Sequence, residues 1–230
     1  MKKLLLFITI VLWICYPKIG ISQKYRNKEI SLISFSVSLH PEIKAYLEKL
    51  QSHIKPCKNP KSDKIICIIK EQTWFSFSDK LQSEVGMIIL PLNTYGDNFD
   101  YDVYGFPDAS INKAIKKGES KYYMKLELFI WPDQYQGVGY KKQSVTKGKP
   151  AELQPGQIRP KVTLNMISYS ENGVLPIDKY TGIAIAPDAF DIEPYVLDGL
   201  INSNSHDDLT TIMSLINEAI SELAINIYAE

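Results

Sequence analysis

Arginine is nearly absent. Of the 26 lysines and arginines, only Arg26 and Arg159 are arginines, so the planar forks that clamp phosphate or carboxylate are scarce. An excess of one charge is missing as well, since 26 basic residues face 26 acidic ones. Proteins that bind nucleic acid generally carry a basic surplus, and this balance argues against that class. Histidine is limited to His40, His53 and His206. No G-x-S-x-G elbow, H-E-x-x-H pair, phosphate loop or dinucleotide fingerprint occurs, and no cysteine sits in a local catalytic signature. These absences lean against an enzyme, and no cofactor or metal is implied.

Long hydrophobic runs are also lacking. The longest extends from Leu4 to about Tyr16, broken only by Thr9, and falls short of the ~20 apolar residues a spanning helix needs. It follows Met1-Lys2-Lys3 and precedes Pro17 and the small residues of Gly20-Ile21-Ser22. A positive start, a short apolar stretch and small residues before the cut define a secretory leader. The expectation is a signal peptide over residues 1–22, cleavage between Ser22 and Gln23, and a single exported domain, 23–230, that is periplasmic or secreted. The alternatives are an uncleaved anchor, or lipidation of Cys15, which the bulky Trp13 and Ile14 before it disfavour. The leader holds three lysines and no acid, leaving 23 basic and 26 acidic residues in the mature chain.

Two cysteines then remain, Cys57 and Cys67. In an exported chain such a pair is a disulfide candidate, and Asn59-Pro60 and Ser62-Asp63 favour a turn between them. Closing so short a loop stabilises a fold by roughly 2–3 kcal/mol in the chain-entropy model. Free thiols are the main alternative. The spacing suits neither a redox pair nor zinc.

Hydrophobic periodicity predicts an α+β fold, a mixed sheet of about six strands packed by three helices. Strands are expected at 30–39, 64–70, 85–92, 122–130, 161–169 and 181–186. Helices are expected at about 41–54, where Pro41 opens the first turn, at 108–117, with Asp108 as cap and Gly118 as stop, and at 206–228. The last carries the stripe Leu209, Ile212, Met213, Ile216, Ile220, Leu223 and Ile227, capped by Ser205 or Asp207. Residues 133–160 form a long polar connection.

Two segments are candidates for recognition. The stretch 95–107 interleaves Asp97, Asp100 and Asp102 with Tyr95, Phe99, Tyr101, Tyr104 and Phe106. Clustered carboxylates and aromatic faces suit a cation or a saccharide, although the spacing is not that of an EF-hand. The plain alternative is that the aromatics bury the loop while the acids stay in water. The connection 133–160 contributes Lys141 and Lys142, which could meet an acidic partner or a glycan; the plain alternative is a solvated flap with no fixed structure. Ser205-His206-Asp207-Asp208 reads as an acid-rich helix start before it reads as a site.

The run from Asp108 to Gly173 resembles the periplasmic α/β modules of bacterial envelope accessory proteins, of the TolB N-terminal and penicillin-binding-protein activator types. A helix ending at glycine, Ala114 to Gly118, leads to an exposed strand, Tyr122 to Ile130. A second strand, Val162 to Tyr169, turns at Gly173, and the final helix fits the same order. The resemblance covers under half of the chain, and a loop of nearly thirty residues splits its two strands. It implies a binding or scaffolding role in the envelope without catalysis. The leading expectation is therefore a non-enzymatic exported module with a protein or glycan partner. The rivals are a secreted hydrolase using Asp97, Asp100, Asp102 or Asp133, and a structural envelope component.

Overall fold

A computed structural model describes residues 24–41, 43–44, 63–118, 120–133, 157–186, 190–191 and 212–229. The leader and its cleavage point, Cys57, Lys141, Lys142, His53, His206 and the expected caps Ser205 and Asp207 lie outside these residues. So does all of the expected helix 41–54 beyond Lys44, although Pro41, Ile43 and Lys44 are helical and Lys44 N–H donates to the His40 carbonyl at 2.9 Å.

The architecture is α+β. Strand β1 (Glu29–Leu39) is followed by helix α1 (Lys64–Lys80), β2 (Ile88–Ile89), α2 (Ile111–Lys117), β3 (Tyr122–Pro132), β4 (Gln157–Ile158), β5 (Pro160–Ser170), β6 (Asp178–Ile185), β7 (Phe190–Asp191) and α3 (Ile212–Tyr228). The main sheet runs β2-β1-β3-β5-β6, while β4 and β7 pair separately. Strand β1 is parallel to both β2 and β3; β5 is antiparallel to β3 and β6. Five strands thus form the sheet, and the class is the one that the alternating patterns predict.

The expectation of a strand at 64–70 is overturned. Those residues begin α1, whose cap is Asp63: its carboxylate accepts from Ile65 N–H at 2.9 Å and Ile66 N–H at 3.2 Å. Ile65, Ile69, Thr73, Phe77 and Leu81 recur every fourth residue, and all five are buried, the periodicity of one helical face. Residues 73–78 belong to the same helix. A π-turn, Leu81–Val85, follows it, so the strand expected over 85–92 shrinks to Ile88–Ile89. Helix α2 begins later than expected, because its cap is Ser110, which accepts from Lys113 N–H at 3.2 Å. Asp108 instead bridges to Ser34 of β1.

Helices α1 and α3 cover one face of the sheet. There Leu32 and Phe35, Met124 to Ile130 at alternate positions, Val162, Leu164 and Met166 meet Phe77, Ile216, Ala219, Ile220 and Leu223. A smaller cluster covers the opposite face, where Ile33, Tyr123 and Tyr169 pack with Phe99, Ala109 and Ala114. The β1 register shifts between Leu32 and Ser34, and this bulge lets Leu32 and Phe35, three residues apart, share the helical face while Ile33 between them serves the other. Cys67 is buried.

The segment before β1 is tied into the core. Tyr25 is 1% exposed; its hydroxyl pairs with Ser168 Oγ at 2.7 Å and donates to Asp178. Burial first, then the neighbouring Asp178, pushes the Tyr25 hydroxyl well above its usual range, so it stays a donor. Burial alone would raise the Asp178 carboxyl, but Lys24 Nζ at 2.7 Å and the Tyr25 and Ser168 hydroxyls outweigh it and hold it below the usual carboxylate range. A carboxyl that binds its proton less tightly when folded adds stability above its unfolded pKa, which is lost as pH falls through the folded value. Wild type should therefore lose stability from about pH 5 downward more steeply than Asp178→Asn, as read by urea unfolding across that range. Parallel acid limbs would refute the assignment.

Candidate functional site

A groove of about 630 Å³ opens beside β1. Its floor is the strand itself, from Phe35 to Leu39. One wall is the start of α1 with Asp63, Ile66 and Lys70, joined by Lys44; the other is Asp102, Tyr104, Pro107 and Asp108.

The second wall is built by a tight hairpin. Asp102 N–H donates to Phe106 O at 2.8 Å, and Gly105 N–H donates to Asp102 O at 3.0 Å. Gly105 has φ 84°, a left-handed conformation that glycine adopts without steric cost. Tyr101 and Pro107 bridge below the turn. Asp102 Oδ1 accepts from both Tyr104 and Phe106 N–H groups at 2.9 Å, the aspartate turn that this residue favours.

The other oxygen of Asp102 meets Lys70 Nζ. Lys70 leaves only 5% of its side chain exposed, against 21% for Asp102. Its ammonium lies 5.4, 5.1 and 5.2 Å from the ring centres of Phe35, Tyr104 and Phe106, within reach for cation–π attraction. The cation thus pins α1, β1 and the hairpin to one another. Further along, Lys44 Nζ sits 3.5 Å from Asp63, while burial first and then the Asp63 carboxylate raise the Tyr104 hydroxyl. Charge in the groove is mostly neutralised by the protein's own pairs. Asp108 is exposed, and among the described residues no cation pairs with it.

The expected recognition residues part company. Asp102 and Tyr104 line the groove. Asp100 is exposed and pairs with Lys113 of α2 at 2.6 Å, and Asp97 is an exposed residue of a 3-10 turn. Tyr101 packs in the cluster on the opposite face, its hydroxyl oxygen buried without a hydrogen bond, as is that of Tyr95. Asp133 sits at the end of β3, its N–H donating to the Arg159 carbonyl. Among the described residues no three His, Cys, Asp or Glu side chains gather as a metal site. Lys70, Lys44, Asp63 and the β1 edge went unseen in the sequence. Lys70 reads there as the charged end of a strand, whereas the fourfold helical spacing from Ile65 to Phe77 places it among buried positions.

No family model matches this chain, and no curated relative matches it. Several solved structures are similar. A hypothetical protein from Chlamydia trachomatis matches with TM-score 0.40 and 9% identity, over 88% of this chain and 96% of the other. A lipoprotein from Neisseria meningitidis gives 0.33 and 10%, over 76% and 93%. A homologue of the neuraminyllactose-binding hemagglutinin from Helicobacter pylori gives 0.33 and 12%, over 93% and 87%. Likeness at this level carries no inference about this chain. The features that define it are its own: an α+β domain with a groove along the side of β1 that is unpaired among the described residues. No described helix is long and apolar enough to cross a membrane.

Proposed function

We propose that the chain is an exported, non-enzymatic binding module whose protein or glycan ligand occupies the β1 groove. One observation carries this reading: the groove's buried ammonium is consumed by structure, held by Asp102 and three aromatic rings. A general acid–base group must reach the reacting atoms, and Lys70 reaches the protein's own carboxylate instead. The groove sets Phe35, Val37, Leu39, Ile66, Tyr104 and Pro107 beside two serines and five charged side chains, so apolar contact is combined with polar groups that fix a ligand's orientation. Export rests on the leader 1–22, and Cys57 is taken as the disulfide partner of Cys67. A role in the envelope follows the resemblance to accessory modules.

The test uses residues 23–230 and a Ser36→Trp variant, which fills the groove from an exposed position. Ligand retained by wild type from envelope extracts, identified by mass spectrometry and then confirmed with the purified component, should be lost by S36W while its melting curve stays unchanged. Turnover of a peptidoglycan or glycan substrate that Asp102→Asn or Asp108→Asn abolishes would overturn the reading in favour of a hydrolase.

A further inference from the structure

The edges of the main sheet are not treated alike. Strand β6 is closed by α3: Glu222 accepts from Ile183 N–H, and Asn226 Nδ2 donates to the Thr181 carbonyl at 2.9 Å. Strand β2 is only two residues long. Both are ordinary ways of blunting an edge. Beyond β2, one side of β1 is different. Leu90 N–H reaches the Ile30 carbonyl and Ala109 N–H the Ile33 carbonyl, and the Ser34–Asp108 bridge ends the pairing on that side. From there to Leu39, only the β3 side of β1 is paired among the described residues.

The direction of the free groups follows from the ladder. His40 N–H donates to Ile130 of β3 at 3.0 Å, so His40, and with it Ser38 and Ser36, turns its peptide groups toward β3. Alternation then turns those of Val37 and Leu39 the other way. The carbonyls of Ile30 and Ile33 face the same outer side three residues apart, so the bulge between them resets the alternation and leaves the odd-numbered residues facing outward. The outward side is the groove, whose lining includes every residue from Phe35 to Leu39.

From this we infer that the groove takes an extended peptide segment of a partner protein as one further strand alongside β1. This rests on the groove being the binding site and names the class of ligand. Main-chain pairing would come from Val37 and Leu39, as in other strand-addition complexes. The two faces set the side chains. Val37 and Leu39 pack toward the helical face, where Ile66 also lines the groove, so alternate peptide residues there are apolar. The intervening residues lie on the Ser36 and Ser38 side, where no cation among the described residues pairs with Asp108, and basic residues fit. Three carboxylates, Asp63, Asp102 and Asp108, against two ammonium groups, Lys44 and Lys70, line the whole, which agrees with a basic peptide.

The probe is a fluorescein-labelled octapeptide of alternating valine and lysine, with two twins N-methylated at the valines or at the lysines. Fluorescence anisotropy should show saturable binding by the parent. One twin, and only one, should weaken it by about tenfold, the loss expected for two or so missing hydrogen bonds. In the free protein the Val37 and Leu39 amides should exchange with deuterium fast and those of Ser36 and Ser38 slowly; the peptide should slow the first pair. Val37→Pro should abolish binding while leaving the β3 ladder intact, and the twins test the same point should that variant fail to fold. No binding by the parent, equal behaviour of both twins, or protection of Val37 and Leu39 in the free protein would overturn strand addition. Binding that survives both twins but is lost in S36W would sink it while leaving the groove as the ligand site; binding untouched by S36W would sink both. Self-association that protects Val37 would give the edge to a second copy of the chain and overturn a separate partner.

Discussion

Gly182→Ala is expected to lose ~3 kcal/mol or more, and roughly 10 °C of thermal midpoint. The cause is the closeness of α3 to β6. A Cβ at position 182 would lie 1.8 Å from the Ala219 carbonyl oxygen, 2.8 Å from its carbon and 2.9 Å from Leu223 Cβ. Two of these are helix backbone, so no rotamer change relieves the clash; helix and strand must separate. Separation has a second cost, because Glu222 and Asn226 close the strand edge at the residues on either side of Gly182. Drawing the helix away exposes the Ile183 N–H and the Thr181 carbonyl together, each worth about 1 kcal/mol when its hydrogen bond is lost. Gly173→Ala is the control, since a Cβ there meets nothing within 4 Å, and it should stay within about 0.5 kcal/mol of wild type. Urea unfolding of both variants decides. A Gly182→Ala protein as stable as wild type would mean that helix and strand do not approach in this way.

The sheet was legible where alternation was clean. The pattern from Tyr122 to Ile130 gives β3, and Val162, Leu164 and Met166 give β5. The final helix showed its stripe, but Leu215, Ala219 and Ala224 are buried beside it; Ala219 marks where α3 comes against Gly182 of β6, and a hydrophobicity pattern gives so small a residue little weight. Helix α1 was misread because Ile-Ile-Cys-Ile-Ile is a β-branched run with charged ends. Over seven residues, a buried strand and a buried helix are indistinguishable by periodicity. The deciding information lay further on, in Ile69, Thr73, Phe77 and Leu81, and in Asp63 as cap. That misreading also hid most of the groove, since a strand at 64–70 would not bring Lys70 beneath Tyr104. The loop 95–107 stands out by composition, but its residues divide between two faces of the sheet. Asp102 and Tyr104 reach the groove, while Phe99 and Tyr101 cover the other side, and no local pattern announces which way a turn residue faces. The side of β1 left unpaired among the described residues is a property of topology alone, and a single strand's sequence does not say what lies beside it.

The second large effect concerns the Lys70–Asp102 pair, and its two halves should not be equivalent. Asp102→Asn should cost about 3 kcal/mol, the lower end for breaking a buried ion pair. Asparagine's carbonyl oxygen retains the Tyr104 and Phe106 N–H bonds, so the turn survives. Its amide nitrogen then faces the Lys70 ammonium, donor against donor, and a cation with 5% of its side chain exposed has no water to replace the carboxylate. The three surrounding rings offset part of this, but they stabilise the charge weakly beside a carboxylate contact. Lys70→Met should be milder, about 1 kcal/mol, because methionine fills the space of the aliphatic stem and Asp102, at 21% exposure, turns to water while keeping its two backbone bonds. The double variant K70M/D102N should sit near K70M, a non-additivity that marks the coupling between the two residues. Both variants remove the ion pair that pins the hairpin to α1, so each is also expected to weaken ligand in the groove, of whose wall Tyr104 forms part. Should D102N prove no more damaging than K70M, the ammonium is not buried against Asp102, and the hairpin would need another anchor against α1.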